Sequence, residues 1–264
     1  MEINIVGCGL MASQIAALLY LDGNAINIWS HKGVDENALN RTIKIVKRSS
    51  GVADNNLGSI KIISDLKDFK NNITIESIVE NIDAKKEIYK IISGIIDKPF
   101  FTNSSSISPL EIGEKVSGLH FFNPISQIKL VEFALNISMT QDIALLMERL
   151  KKMEFEIVDV KNNRGYIANY IIFNEISVAF KLLEIHGYGL EEVNKVCKVF
   201  NKNLFKLIDV IGVDTTYKII NNLKEIDQSI YLPKILEKAI DKKILGKKNG
   251  TSILSLLEKN NESK

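Results

Sequence analysis

Cysteine is nearly absent. Cys8 and Cys197 are the only two in 264 residues, far apart and with no third or fourth partner at metal-ligand spacing. Neither a disulfide framework nor a metal site follows from them, and such sparse use fits a reducing, cytoplasmic setting. Long apolar runs are missing as well, none approaching the ~18 residues of a membrane helix. The first apolar stretch is a strand interrupted by Glu2 and Asn4, so neither a signal peptide nor a membrane anchor is expected. A surplus of one charge is the third absence. Lys and Arg number 34 against 32 Asp and Glu, a formal +2, which points away from nucleic acid and toward a small-molecule partner. No internal repeat or low-complexity linker breaks the chain.

What is present is ample core-forming material: 45% of residues are apolar and 25% charged, over a length slightly long for one domain. Glu2 to Val6 reads as a strand, Leu10 to Leu21 as an apolar helix and Ala25 to Trp29 as a second strand. A basic amphipathic helix follows near Glu36 to Ser49, then strands near Ser59 to Ile63 and Thr74 to Val79, and a helix from Asp83 to Ile96. After the strand Phe100 to Asn103 and a short helix starting near Pro109, strand runs recur at Val116 to Phe122 and Ile128 to Ala134. A helix from Thr140 to Met153 and a strand from Glu154 to Val160 close the alternation. Alternating strands and helices imply α/β architecture, a doubly wound and mostly parallel sheet over residues 1–161. From 162 to 264 only helical spacing remains, over Tyr166–Leu183, Leu190–Val199, Leu204–Ile211, Thr215–Leu223 and Leu232–Lys243, so an all-α domain is expected. The last six residues, from Lys259 to Lys264, read as a frayed tail.

Gly7-Cys-Gly-Leu-Met-Ala12 lies between the first strand and the first helix, where a dinucleotide fingerprint belongs. Gly7 permits the tight turn, Gly9 lets a pyrophosphate approach the backbone, Leu10 and Met11 open the helix, and Ala12 keeps helix and strand close. The second strand should end in an acid that binds the ribose of NAD, yet it runs into Ser30, His31 and Lys32. A serine flanked by those two side chains suits a 2′-phosphate by hydrogen bonding and charge, so the expected cofactor is NAD or NADP.

His120 and Glu132 stand twelve residues apart across the Asn123-Pro124 turn. Two strands folded back at that turn would bring them together, and a carboxylate on one imidazole nitrogen leaves the other free as a base. Spacing alone fits equally a buried structural histidine and an unrelated surface glutamate. The wording of the segment adds to that reading. Gly118-Leu-His-Phe-Phe-Asn-Pro124 followed by Lys129-Leu-Val-Glu132 resembles the signature of the 3-hydroxyacyl-CoA dehydrogenases.

The resemblance spans Glu2 to about Gly250 and implies a Rossmann-type NAD(P)-binding domain followed by a helical domain for substrate and dimerisation. It implies that His120 is the base, Glu132 its orienting partner, and Ser105, in Thr102-Asn-Ser-Ser-Ser106, a hydroxyl that contacts substrate and cofactor. Asn169, in Arg164-Gly-Tyr-Ile-Ala-Asn169, matches an asparagine that orients histidine and substrate. Glu80 and Lys85 match residues that line the nucleotide site, Asn123 one near the nicotinamide, and Lys248, in Gly246-Lys-Lys-Asn-Gly250, a cofactor-side position. Read without the resemblance, Glu80 is a helix N-terminal acid, Lys85 a surface lysine, Ser105 a cap or polar loop residue, and the turn at Gly7 a tight turn with no ligand. Lys44 and Lys47, on the basic helix with Arg41 and Arg48, would receive coenzyme A phosphates; a solvated basic face is the commoner meaning of such a run. Arg164 and Tyr170 depart from the family wording, as does Asn203-Leu-Phe-Lys-Leu207 in place of Gly-Pro-Phe-Glu-Leu. The expectation is a homodimeric enzyme that oxidises an (S)-3-hydroxyacyl-CoA, with its active site in the cleft between domains. A sugar-acid dehydrogenase of the gulonate type and a diverged, non-catalytic dinucleotide or acyl-CoA binder are the alternatives.

Overall fold

Short runs rich in isoleucine, valine and phenylalanine become the strands of one eight-stranded sheet. In the computed structural model, which describes residues 1–50 and 57–261, the chain opens with β1 (Glu2–Val6), α1 (Leu10–Leu21), β2 (Ala25–Trp29), α2 (Glu36–Ser50) and β3 (Ser59–Ile62). It continues with β4 (Ile73–Glu76), α3 (Ile82–Ser93), β5 (Phe100–Thr102), α4 (Pro109–Ile112) and β6 (Val116–Phe121). Next come β7 (Leu130–Ala134), α5 (Gln141–Lys152) and β8 (Glu156–Asp159). The strand order is β3-β2-β1-β4-β5-β6-β7-β8. The first six strands are parallel in the 3-2-1-4-5-6 order of a dinucleotide-binding sheet, and the expected mostly parallel, doubly wound architecture is what forms.

Burial explains the strand composition. Helices cover both faces of a parallel sheet, so Ile3, Asn4, Ile5 and Val6 of β1 are all fully buried. Asn4 is tolerated there because its Nδ2 donates to Lys70 O at 2.9 Å while its Oδ1 accepts from Asn27 of β2 at 3.1 Å. The sheet turns antiparallel only where the Asn123-Pro124 turn sends β7 back along β6, and β8 then runs parallel to β7. Register follows from that reversal: Gly118 faces Ala134 and His120 faces Glu132.

The chain divides into two compact units, Met1–Tyr166 and Ile167–Lys264. The second is helical throughout its described residues: α6 (Tyr166–Glu184), which begins at the last residue of the first unit, α7 (Leu190–Val199), α8 (Leu204–Ile211), α9 (Val213–Ile226), α10 (Lys234–Asp241) and α11 (Ile253–Asn261). Its core gathers Phe173, Ile176, Phe180, Phe205, Ile208 and Leu236. The sequence reading passed over α11, whose Ile253, Leu256 and Leu257 supply a helical stripe of about one turn's spacing. Of the tail expected to fray, 259–261 continue that helix and 262–264 lie outside the described residues. No helix among the described residues is long and apolar enough to cross a membrane, and none of them form a cluster of metal-ligating side chains.

Candidate active site

The turn between β1 and α1 is shaped for an anion. Gly7 sits at φ +118°, and a Cβ built there would lie 2.4 Å from the Ser77 carbonyl oxygen, so only glycine fits. Gly9 is different: a Cβ there would meet nothing within 4 Å, which leaves open space directly above the backbone. Gly9 caps α1 without any side-chain hydrogen bond, and no acidic residue stands in the first turn. The leading N–H groups of α1 therefore face that space uncapped, which is the donor set a pyrophosphate requires. Leu10 is 62% exposed at the rim, Met11 is half-buried, and Ala12 is fully buried against the strand. At the end of β2 the Cys8 thiol donates to Ser30 Oγ at 3.1 Å, while His31 and Lys32 are exposed beside it.

The antiparallel β6–β7 pair brings the two motif residues together. His120 and Glu132 are directly opposite in register, and His120 Nδ1 lies 2.9 Å from Glu132 Oε2. A carboxylate can only accept, so Nδ1 carries a proton, and in the neutral ring Nε2 is the nitrogen with the lone pair. Both residues are buried, at 5% and 1% exposure. Aromatic rings enclose the imidazole: Phe122 lies 4.4 Å and Tyr166 5.5 Å from its ring centre. Burial first, then the charges of Glu132 and Glu80, push the Tyr166 hydroxyl above the ordinary phenol range, so it stays neutral beside the pair.

Lys85 is not the surface lysine that an unaided reading makes it, and Glu80 does more than stand as an acid before a helix. Lys85 is 1% exposed, and its Nζ contacts Glu76 Oε1 at 2.7 Å and Glu80 Oε2 at 3.5 Å. Helix α3 is instead capped by Asn81, whose side chain accepts from Ala84 N. Glu80 Oε1 accepts from Ser104 Oγ at 2.5 Å, from Ser106 N and Oγ both at 2.8 Å, and from Ser105 N at 3.2 Å. Burial opposes its charge, but Lys85 and these serine hydrogen bonds together hold its carboxyl below the ordinary carboxylate range. One carboxylate thus shapes the turn that presents Ser105, and the Ser105 carbonyl accepts from Gly165 N at 3.1 Å.

The other candidates are spread over both units. Asn123 is exposed just past β6, with a cis bond to Pro124. Lys44 is exposed and Lys47 half-buried on α2, where Asn37, Asn40, Arg41, Ile43 and Lys44 line a shallow depression. In the second unit Asn169 is buried on α6, and Lys248 Nζ donates to Asp214 Oδ1 and Thr215 Oγ1, each at 2.7 Å. Arg164 grips Glu111 of α4 with its guanidinium, Nε to Oε2 at 2.8 Å and Nη2 to Oε1, and this pairing lowers the Glu111 carboxyl. Glu76 and Gln14 escaped the sequence reading. Glu76 is fully buried at the end of the apolar β4, where its Oε2 accepts from Thr102 Oγ1 at 2.8 Å and its Oε1 from Ile78 N at 2.6 Å. The available signal was a charged residue ending a strand with no exposed face. Gln14 gave the same kind of signal, a long polar side chain inside an otherwise apolar helix.

Known proteins resemble both parts of the chain. Residues 2–163 match the family described as 3-hydroxyacyl-CoA dehydrogenase, NAD binding domain, and residues 165–255 match its C-terminal domain. The mitochondrial hydroxyacyl-coenzyme A dehydrogenase of Sus scrofa is 26% identical over 94% of this chain and 89% of its own length. A probable 3-hydroxybutyryl-CoA dehydrogenase of Bacillus subtilis is 28% identical over 98% of both chains. The crystal structure of an (S)-3-hydroxybutyryl-CoA dehydrogenase from Ralstonia eutropha shares the fold at a TM-score of 0.82, with 24% identity over 96% of this chain and 97% of that one. With a dinucleotide turn, a buried histidine–glutamate pair and both family domains matched in order, the chain belongs to the 3-hydroxyacyl-CoA dehydrogenase family.

Proposed function

We propose that the protein reversibly oxidises an (S)-3-hydroxyacyl-CoA, a short one such as 3-hydroxybutyryl-CoA, to the 3-oxoacyl thioester. The observation that carries this is the buried His120–Glu132 contact at 2.9 Å, in the unit that also holds the uncapped turn at Gly9. Nε2 of His120 takes the hydroxyl proton of the substrate, and Glu132 holds Nδ1–H in place and stabilises the imidazolium that forms. NAD, when bound, supplies the acceptor for the hydride that leaves the same carbon. Ser105 and Asn169 position the substrate oxygen. In the reverse direction His120 returns the proton. Gly7, Gly9, Leu10, Met11 and Ala12 would hold the pyrophosphate end of the cofactor, and Asn123 its nicotinamide end. Glu80 and Lys85 form the wall behind Ser105, with Lys248 the cofactor-side lysine of the second unit. Lys44 and Lys47 would receive coenzyme A phosphates.

Purified protein is expected to oxidise NADH when given acetoacetyl-CoA, and Lys44→Ala with Lys47→Ala to raise the acyl-CoA KM several-fold at nearly constant kcat. Absence of turnover with acetoacetyl-CoA and with longer 3-oxoacyl-CoAs overturns the assignment. Tolerance of NADP as well as NAD rests on Ser30, His31 and Lys32 in place of an acid. NADPH should therefore also support turnover, and Lys32→Ala should depress that rate more than the NADH rate. A strong NADH preference that Lys32→Ala leaves untouched rejects the NADP reading.

The active form is a homodimer built on the helical unit, in the cytoplasm. Ile171 and Val178, seven residues apart on α6, are 56% and 52% exposed, and Val199 and Phe200 at the end of α7 are 75% and 71% exposed. Apolar surface of that kind is what a helical interface covers. Light scattering should read about twice the 29.6 kDa chain mass, and Phe200→Glu with Ile171→Glu should shift it toward the monomer; a monomeric wild type ends this reading.

A further inference from the structure

Gln14 lies in the second turn of α1, 7% exposed, in a helix otherwise made almost wholly of apolar residues. Burying a carboxamide there is unfavourable unless both its ends are satisfied, and both are. Its Oε1 accepts from the backbone N–H of Ile125 at 2.9 Å, and its Nε2 donates to Asn123 Oδ1 at 2.9 Å. The first of these bonds fixes the direction of the second. A backbone N–H can only donate, so the amide end facing Ile125 must be oxygen, and the end facing Asn123 must be nitrogen. Asn123 is then obliged to turn its oxygen inward, toward Gln14, and to carry its NH2 away from it.

We propose that Gln14 is a positioning residue that presents Asn123 to the cofactor as a hydrogen-bond donor, toward an acceptor oxygen at its nicotinamide end. The inference rests on the reading of Asn123 as a cofactor contact. Two features support the placement. Asn123 follows β6 at the carboxyl ends of the parallel strands, where ligands of such sheets lie. Gln14 stands one turn along the same helix whose first N–H groups open onto the space above Gly9, so one element sets both the phosphate donors and the polarity of Asn123.

Gln14→Glu separates this role from a purely mechanical clasp. A carboxylate still accepts from Ile125 N–H, but its second oxygen faces Asn123 and forces that side chain to rotate, donating inward and leaving its oxygen outward. Both clasping bonds survive while the polarity offered to the cofactor is reversed. Fluorescence titration of NADH, which needs no turnover, should show a dissociation constant raised about tenfold by Gln14→Glu and by Asn123→Ala, with the two substitutions together little worse than Asn123→Ala alone. Gln14→Met, which frees Asn123 to rotate, should weaken binding less. If Gln14→Glu fails to fold, Asn123→Asp makes the same test at an exposed position: one oxygen accepts from Gln14 and the other faces outward. Wild-type NADH affinity in Gln14→Glu, or in Asn123→Asp, alongside weakened binding in Asn123→Ala overturns the inference. Unchanged binding in Asn123→Ala removes Asn123 from the cofactor site, and the role of Gln14 with it, while leaving the His120 assignment untouched.

Discussion

Alanine in place of His120 is expected to lower kcat for acetoacetyl-CoA reduction by about 100- to 10,000-fold, the range a positioned acid or base contributes. NADH affinity should change by less than about threefold, because the backbone N–H groups after Gly9 and the Gln14–Asn123 contact, the proposed cofactor contacts, do not involve the imidazole. The split between rate and binding is the test. A variant that keeps turnover within a few-fold of wild type removes His120 from the chemistry. Glu132→Gln keeps a hydrogen-bond acceptor for Nδ1–H but cannot stabilise an imidazolium. Its loss should therefore fall on kcat as well, with a smaller effect than His120→Ala. The side chain also fills a buried site between Phe122 and Tyr166, so His120→Gln serves as a volume-matched control against collapse of those rings.

Lys85→Met is expected to have the largest effect on stability, about 3–5 kcal/mol at neutral pH, the range for removing one partner of a buried ion pair. Lys85 contacts both Glu76 and Glu80, and at 1% exposure solvent cannot replace it. Chemical denaturation at several pH values reads the effect and its sign. In wild type the Glu80 carboxyl is held below its ordinary 4.5. Its contribution is therefore complete above that value and is lost only as pH falls through the folded-state value. Removing the lysine takes away the main charge that holds the Glu80 carboxyl down against its burial, so that carboxyl moves up and its protonation relieves the variant as pH falls. The stability gap between Lys85→Met and wild type should narrow as pH is lowered from 7 toward 5. A gap that is constant or widens over that interval contradicts an electrostatic role for Lys85. Ser105 rides on the turn held by Glu80, so the surviving folded fraction should also show a raised acyl-CoA KM.

The architecture was legible because each level of the sequence pointed the same way. Short, mainly apolar runs such as Ile3-Asn-Ile-Val6 mark strands covered on both faces, and the glycine turn after the first of them sets the chain direction. His120 and Glu132 were legible as a spacing, since a turn midway between two strand runs implies a hairpin, but spacing does not fix register. Register came from three-dimensional pairing, which puts the two side chains on the same face and directly opposite. The environment of Glu80 and Lys85 was not legible unaided. Their burial depends on where β4, β5 and the serine turn after β5 converge, and on Glu76, whose partners lie nine and 26 residues away. Gln14 escaped for a similar reason. Its partners are 109 and 111 residues on, and nothing local distinguishes a glutamine that bridges two elements from one that is merely tolerated.

Gly118, two residues before the histidine, has a use the hairpin alone does not explain. A Cβ at that position would lie 2.3 Å from the Tyr166 hydroxyl oxygen and 3.1 Å from the Ala134 methyl carbon. The missing side chain is a socket in the floor of the sheet, and the far end of Tyr166 is the plug. With the phenol seated, its ring lies 5.5 Å from the imidazole centre, beside the buried hydrogen bond to Glu132. Any side chain at 118 would push that ring away, and the histidine would lose one of the two aromatic rings beside it.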